Sequence, residues 1–379
     1  MTITARELNR ATLARQLLLR REPLSVGDAT RRILALQAQQ PASPYLALWN
    51  RIDGFDPADL DAAFTDGTLV KATLLRITLH AVHSDDYRMV REAMRPTLYA
   101  SRLGNRFAAA GLTPADAAEL EPGLMEFAGR PRSNGDMTAW LAERVGEEKK
   151  DGAWWGLRSY TPLVHVPTGG PWSFGYAPAY VASAAGRFTG EPPAEEEALQ
   201  ALILRYLEGF GPGSVADVAQ FATVQRARAR TALRALGPTV EELKGPGGTT
   251  LYDLPGAPRP PADTPAPPRL MPMWDSTLLA HHDRGRVIPS DYRRLVTRTN
   301  GDVLPTLLVD GYVAGVWRPV EGGIEATAFH DLSDEAWEGL AREARALGAL
   351  LAGREPTVYS RYAHWWKKLP EAAVRTLQL

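Results

Sequence analysis

The sequence predicts an α+β fold built from three tandem winged-helix motifs and followed by β-hairpins. Two observations predict it: three stretches each read as two or three helices and then strand-like residues, and a proline-rich connector separates them from a hairpin-rich C-terminal part. The third stretch is the clearest. Glu195 to Phe210 is an amphipathic helix, Gly211-Pro212-Gly213 a turn, Ser214 a cap for VADVAQFA, and Thr223 a cap for VQRARARTALRAL. That last helix carries Arg226, Arg228 and Arg230, and TTLYDLP supplies a wing strand. The predicted segments are 1–130, first winged helix; 131–193, second and degenerate; 194–254, third; 255–272, connector; and 273–379, C-terminal α+β part.

Within the first segment, helices over 4–20, from Ser25, and from Pro57 to Phe64 lead to a strand-like run from Leu69 to Val82, with further helices to about 130. In the second, Asn134 or Asp136 caps MTAWLAERVG, and WWGLRSYTPLVHVP reads as irregular strand. Eight prolines between Pro255 and Pro272 form a stiff, extended connector. Beyond it, LLAHHDRGRVIP reads as two short strands around a polar tip. LLVDGYVAGVW is a stronger hairpin, because Asp310-Gly311 suits a type I′ turn. A helix from Ser333 to Leu351 faces Trp337, Leu340 and Leu347 inward.

Composition excludes several classes. The chain has no cysteine, which removes disulfides, thiolate catalysis and cysteine-ligated zinc or iron–sulfur centres. No apolar run reaches the roughly 18 residues of a membrane span, and the polar N-terminus lacks the apolar centre of a secretory signal, so a cytoplasmic protein is expected. Net charge is −1, yet residues 1–51 hold eight arginines against three acids, a locally basic segment that could meet phosphate or simply be a solvated face.

The chemistry is sought in Gln37-Ala38-Gln39. Residues two apart diverge on a helix and share a face when extended, so the helix from Ser25, stopped within the glutamines by Pro41, would make the two amides converge. The bland alternative is that both glutamines cap that helix. His80 and His83 close the strand from Leu69; one could orient water, or both could be structural. Asp275 could assist a sugar cation or act as a turn cap. The tip His281, His282, Arg284 and Arg286 could enter a DNA groove or be an ordinary exposed turn. Trp154-Trp155 and Trp365-Trp366 could stack on bases or fill gaps between small domains. No histidine–carboxylate spacing of a known zinc motif is present, so neither a metal nor a cofactor is expected.

Five blocks in order, LQAQQPASPYLALWNR, LLRITLHAVHSDDY, YLEGFGPGSVADVAQFA, MWDSTLLAHHDRGRVIP and NGDVLPTLLVDGYVAGVW, resemble the AlkZ/YcaQ family of bacterial winged-helix DNA glycosylases over nearly the whole chain. The resemblance implies three winged helices around a central cleft and a catalytic glutamine-apolar-glutamine motif at Gln37 and Gln39. It also implies a monomer in the bacterial cytoplasm, associated with the nucleoid. Its substrate would be double-stranded DNA carrying an alkylated purine or an azinomycin-type interstrand crosslink, unhooked for self-resistance.

That chemistry suits neutral amides. Glutamine is not a general base, but it can orient water, and an N7-alkylpurine already bears positive charge and departs neutral. A monofunctional hydrolytic enzyme is expected, since none of Lys71, Lys149, Lys150, Lys244, Lys367 and Lys368 sits in a visibly activated context. The alternative from another class is a winged-helix transcriptional regulator that reads a major groove with Arg226 to Arg234 and performs no chemistry.

Overall fold

The computed structural model describes residues 2–187, 192–369 and 373–378. Two antiparallel sheets and a small wing organise it. The first sheet contains β1 (Leu36–Gln37), β2 (Leu69–Thr73), β3 (Leu79–His83), β4 (Arg132–Ser133), β5 (Leu163–Val166) and β6 (Ala179–Ala182), in the order β1-β3-β2-β5-β6-β4. β2 meets β5 at Lys71 opposite His165, so strands of the first two segments form one sheet. The wing is the hairpin β7 (Glu241–Lys244) and β8 (Thr250–Asp253). The second sheet runs β13-β12-β11-β10-β9, from β9 (Arg269–Met271), β10 (Thr306–Val309), β11 (Tyr312–Val320), β12 (Gly323–Ala328) and β13 (Ala373–Gln378).

The third winged helix follows the sequence closely. Its helices are Pro192–Phe210, Val215–Phe221 and Arg226–Ala235. Ser214 caps the middle one in a capping box with Asp217. Gln225 rather than Thr223 caps the third, because Thr223 takes a left-handed conformation, φ +53°, to make the turn. In the second segment, Ser133 is the cap of the helix Asn134–Val145, and the expected irregular strand is instead the helix Lys150–Tyr160 followed by β5.

Apolar cores cross the segment boundaries. One core joins Leu13, Leu17, Leu46 and Leu48 to Leu270, Trp317 and Leu340, tying the N-terminal helices to the second sheet. Another packs the helix Ser84–Arg102 against Pro192–Phe210 through Val90, Met94, Leu98, Leu202 and Phe210. A third gathers Phe107, Leu141 and Trp154. The proline-rich connector straps the first helix, Ala5–Arg15: Arg6, Arg10 and Arg15 donate to its carbonyls at Ala262, Thr264 and Pro258.

The Asp310-Gly311 hairpin forms between β10 and β11 with both residues at positive φ, +48° and +81°, as a type I′ turn requires. Gly311 has a second constraint, since a Cβ there would lie 2.6 Å from Asn9 Oδ1. The helix Asp334–Ala352 is capped by Ser333 and buries Trp337, Leu340 and Leu347. LLAHHDRGRVIP is not a hairpin. It is the short helix Ser276–Leu279, a loop and a single turn at Arg284–Arg286, with its apolar ends packed inward.

Candidate active site

Ser25 begins the site by capping the helix Val26–Ile33, its Oγ accepting from the Asp28 amide at 3.0 Å. The helix stops at Leu34, which takes φ +73°, well before Pro41. Its continuation pairs with β3 as β1, Leu36 opposite Ala81 and Gln37 opposite His80, and Ala38 N–H donates to Leu79 O at 2.8 Å. The exit therefore depends on strand pairing and not on the proline. Extended backbone puts Gln37 and Gln39 on one face, and both line a cavity of about 750 Å³. Neither amide bonds the preceding helix, so the capping alternative fails.

The run Leu69–Val82 is two strands with a reversal at Leu74–Thr78. The reversal contains no glycine, asparagine or proline, and Arg76 and Ile77 hold left-handed φ values of +53° and +58°. Such strain persists only where surroundings enforce it. Its product is a clamp on Gln37. Arg76 Nη2 donates to Gln37 Oε1 at 2.7 Å, and Gln37 Nε2 donates to Thr78 Oγ1 at 3.1 Å. The same Arg76 nitrogen lies 3.2 Å from His80 Nε2, while His80 Nδ1 is 3.1 Å from the Thr78 carbonyl. The carbonyl requires Nδ1–H, which leaves Nε2 as the acceptor for arginine. Burial, with Arg76 adjoining, pushes the His80 pKa well below its ordinary value, so the ring is a neutral prop. His83 instead caps the helix Ser84–Arg102, accepting from the Asp85 amide. Gln37 is buried and held at both ends of its amide. Gln39 is exposed, its Oε1 accepting only a long 3.4 Å contact from the Leu79 amide.

The cavity is cationic. Lys71, Arg76, Arg102, Arg158 and Arg361 line it, and none of them forms an ion pair among the described residues. Asp302 is the one carboxylate among the lining residues described; it accepts from Trp365 Nε1 at 2.8 Å and Asn300 Nδ2 at 3.0 Å. Arg76 Nη1 is buried without a partner. Lys71 is buried over the Phe174 ring, 4.2 Å from its centroid, and desolvation pushes its pKa down to about 8. The chain thus has a buried amine with a lowered pKa, a context the sequence did not show; only the strand pairing that buries Lys71 reveals it. Tyr176, 94% exposed, stands on the same cavity's lining.

Seven of the eight arginines of the basic N-terminal segment form ion pairs within the fold. Arg6 and Arg10 pair with Asp310, Arg15 with Asp253, Arg21 with Glu343, Arg31 with Asp85, Arg32 with Glu22 and Arg51 with Asp275. Asp275 is therefore taken out of the cavity. Both its oxygens lie 2.9 Å from Arg51, and it caps the helix Ser276–Leu279. His281 is buried with Nε2 donating to Phe210 O at 3.0 Å, and Arg286 turns inward to Pro212 O at 2.7 Å. Arg284 donates to Leu278 O, leaving His282 exposed beside Arg226. Arg228 pairs with Glu196, and Arg230 is exposed. The tryptophan pairs are packing elements first: Trp154 donates to Asn134 and Trp365 to Asp302.

The family model described as DNA glycosylase AlkZ-like matches residues 30–350. The chain belongs to the AlkZ-like DNA glycosylase family. It is an enzyme of the class that hydrolyses N-glycosyl bonds in DNA. A curated relative from Streptomyces sahachiroi, an interstrand DNA cross-link repair glycosylase, is 25% identical over 335 residues, covering 84% of this chain and 89% of that protein. The solved structure of Streptomyces sahachiroi DNA glycosylase AlkZ superimposes with a TM-score of 0.78 at 20% identity, over 93% of this chain and 98% of that one, which shows the shared fold. A member of this family has no need of the regulator reading.

Proposed function

We propose that this chain hydrolyses the N-glycosidic bond of cationic N7-alkylpurines in duplex DNA, and that it unhooks interstrand crosslinks, the activity named for its Streptomyces sahachiroi relative. Self-resistance to an azinomycin-type agent is the setting this reading implies. One observation carries it: two neutral amides face a cation-lined cavity in a chain whose net charge is −1. Cations attract the phosphates of a duplex, and amides suffice when the leaving base already carries the positive charge.

The two glutamines divide the work. Gln37, held by Arg76 and Thr78, is preorganised and positions the attacking water with its remaining Oε1 lone pair. Gln39, loosely engaged, lays its carbonyl toward C1′ as positive charge develops on the sugar. Departure of the alkylated base as a neutral purine makes a strong acid unnecessary. Arg102, Arg158 and Arg361 hold backbone phosphates, with Arg226, Arg230 and His282 extending the path outside the cavity. Tyr176 stacks on a base at the lesion, the role sequence reading gave to Trp154-Trp155 and Trp365-Trp366. An open cavity also admits a purine still tethered to the opposite strand, which a closed pocket would reject.

The test is release of free base from duplexes carrying one N7-methylguanine, one interstrand crosslink or one uracil. The wild type is expected to release the first two and leave uracil. Gln37→Ala with Gln39→Ala is expected to abolish release. Equal release by that double variant, or loss of release in Asp302→Asn, would move activation of water to another group.

A further inference from the structure

Once the base has gone, the product is an abasic sugar whose ring-opened form exposes an aldehyde at C1′. An aldehyde reacts with an amine, and this cavity holds a buried one. Lys71 lines the cavity that also contains Gln37 and Gln39, is 5% exposed, and has no carboxylate or hydrogen-bond acceptor assigned to it among the described residues. Its ammonium rests over Phe174, and its partner in the sheet is His165, held neutral because burial and the lysine push its pKa down to about 3. Arg158 adds positive charge to the same corner. Buried ammonium groups normally find a counter-ion, and a lysine left without one costs the fold stability that a structural role would not explain.

We infer that Lys71 is an amine nucleophile that captures the abasic product as an imine, giving the enzyme a strand-cleaving activity after base release. This inference rests on the glycosylase reading for its substrate. The lysine nitrogen adds to C1′ and water leaves, forming a C1′=N bond. Cavity water removes the C2′ proton, the electron pair moves into the C1′–C2′–N system, and the C3′–O bond breaks. The 3′-phosphate departs as the 5′-phosphate terminus of the downstream strand. Water then hydrolyses the imine, returning the lysine and releasing an unsaturated aldehyde. No oxidant or co-reactant is consumed.

The sheet register explains why capture follows excision. Gln37 and Lys71 occupy alternate pairing rows, Gln37 with His80 and Ala72, Lys71 with Ala81 and His165, so they stand on opposite faces of the sheet, and both line the cavity. The amine is thereby held off the intact glycosidic bond and meets only the swung-open sugar. The downward pull of burial on Lys71 supplies neutral amine near pH 8, where an ordinary lysine would supply almost none.

Borohydride is added to the full-length protein mixed with a duplex carrying one preformed abasic site. A covalent adduct is expected whose tryptic map places the reduced sugar on Lys71. Lys71→Arg, checked for binding to a duplex with a tetrahydrofuran abasic analogue, is expected to lose it. An adduct on another amine, or none from a wild type that releases N7-methylguanine, overturns the inference while leaving the glycosylase reading intact. Because the abasic site is preformed, trapping on Lys71 without any base release would sustain the lysine and overturn the glycosylase reading instead.

Discussion

Arg76 donates to Gln37 Oε1 at 2.7 Å, so the buried glutamine of the motif is aimed by a cation from a turn that the sequence gives no reason to expect. Arg76→Met would keep the stem and remove the donor. The proposed excision should then lose roughly 10- to 100-fold in kcat, somewhat less than a lost direct transition-state donor, with KM for the duplex little changed. Thermal stability should rise, because a buried charge with an unpartnered Nη1 has gone. A fall in stability with parallel loss of kcat and binding would mark Arg76 as scaffolding alone.

The cavity arginines act by charge. Arg102→Ala, Arg158→Ala and Arg361→Ala should each weaken duplex binding for every sequence tested, and each should reduce the slope of log affinity against log salt by about 0.9. Unchanged slopes would place the DNA backbone elsewhere on the protein.

Tyr176 offers a ring to solvent that the fold does not use. Tyr176→Phe should preserve binding to a lesion-bearing duplex, whereas Tyr176→Ala should cost about 1–3 kcal/mol, the range for a base stacked on an aromatic side chain. Equal losses in the two variants would assign the effect to the hydroxyl.

Two buried histidines and one largely buried one set an acid limit. Burial holds His80 well below its ordinary pKa, and His165 and His281 at about 3, so the native state keeps them neutral while the unfolded chain takes up protons near pH 6.5. The unfolded state binds more protons, so stability is full above pH 6.5 and falls as pH drops below it. Three protons give a slope of about 4 kcal/mol per pH unit near pH 5. Denaturant titrations at pH 7, 6 and 5 measure it; a flat profile would mean that these rings are charged in the fold.

Asp275 belongs to Arg51, not to the sugar. Asp275→Asn should destabilise the protein by about 3 kcal/mol, because the guanidinium stays buried with its charge uncompensated. At temperatures where the variant is folded, base release should persist. Selective loss of release at full stability would return the aspartate to the chemistry.

The third winged helix, the Asp310-Gly311 turn and the C-terminal helix were legible because their signals are local: Ser214 and Ser333 cap in place, and Asp310 and Gly311 tolerate positive φ. The convergence of Gln37 and Gln39 was legible too, although not the reason for its geometry. Sequence by itself determined the α+β class, the exclusion of thiol chemistry, the positions of Gln37 and Gln39, and the resemblance to a glycosylase family. Tertiary structure decided which charges were free. Arg6, Arg10, Arg15, Arg21 and Arg51 look available in one dimension, yet their acids arrive from Asp253, Asp275, Asp310 and Glu343, far along the chain. Arg76 and Lys71 look ordinary in one dimension, yet the two strands and the reversal between them set both beside a cavity where neither forms an ion pair among the described residues. A charge pattern reports what a residue is, while ion pairing and desolvation depend on distances that only folding sets.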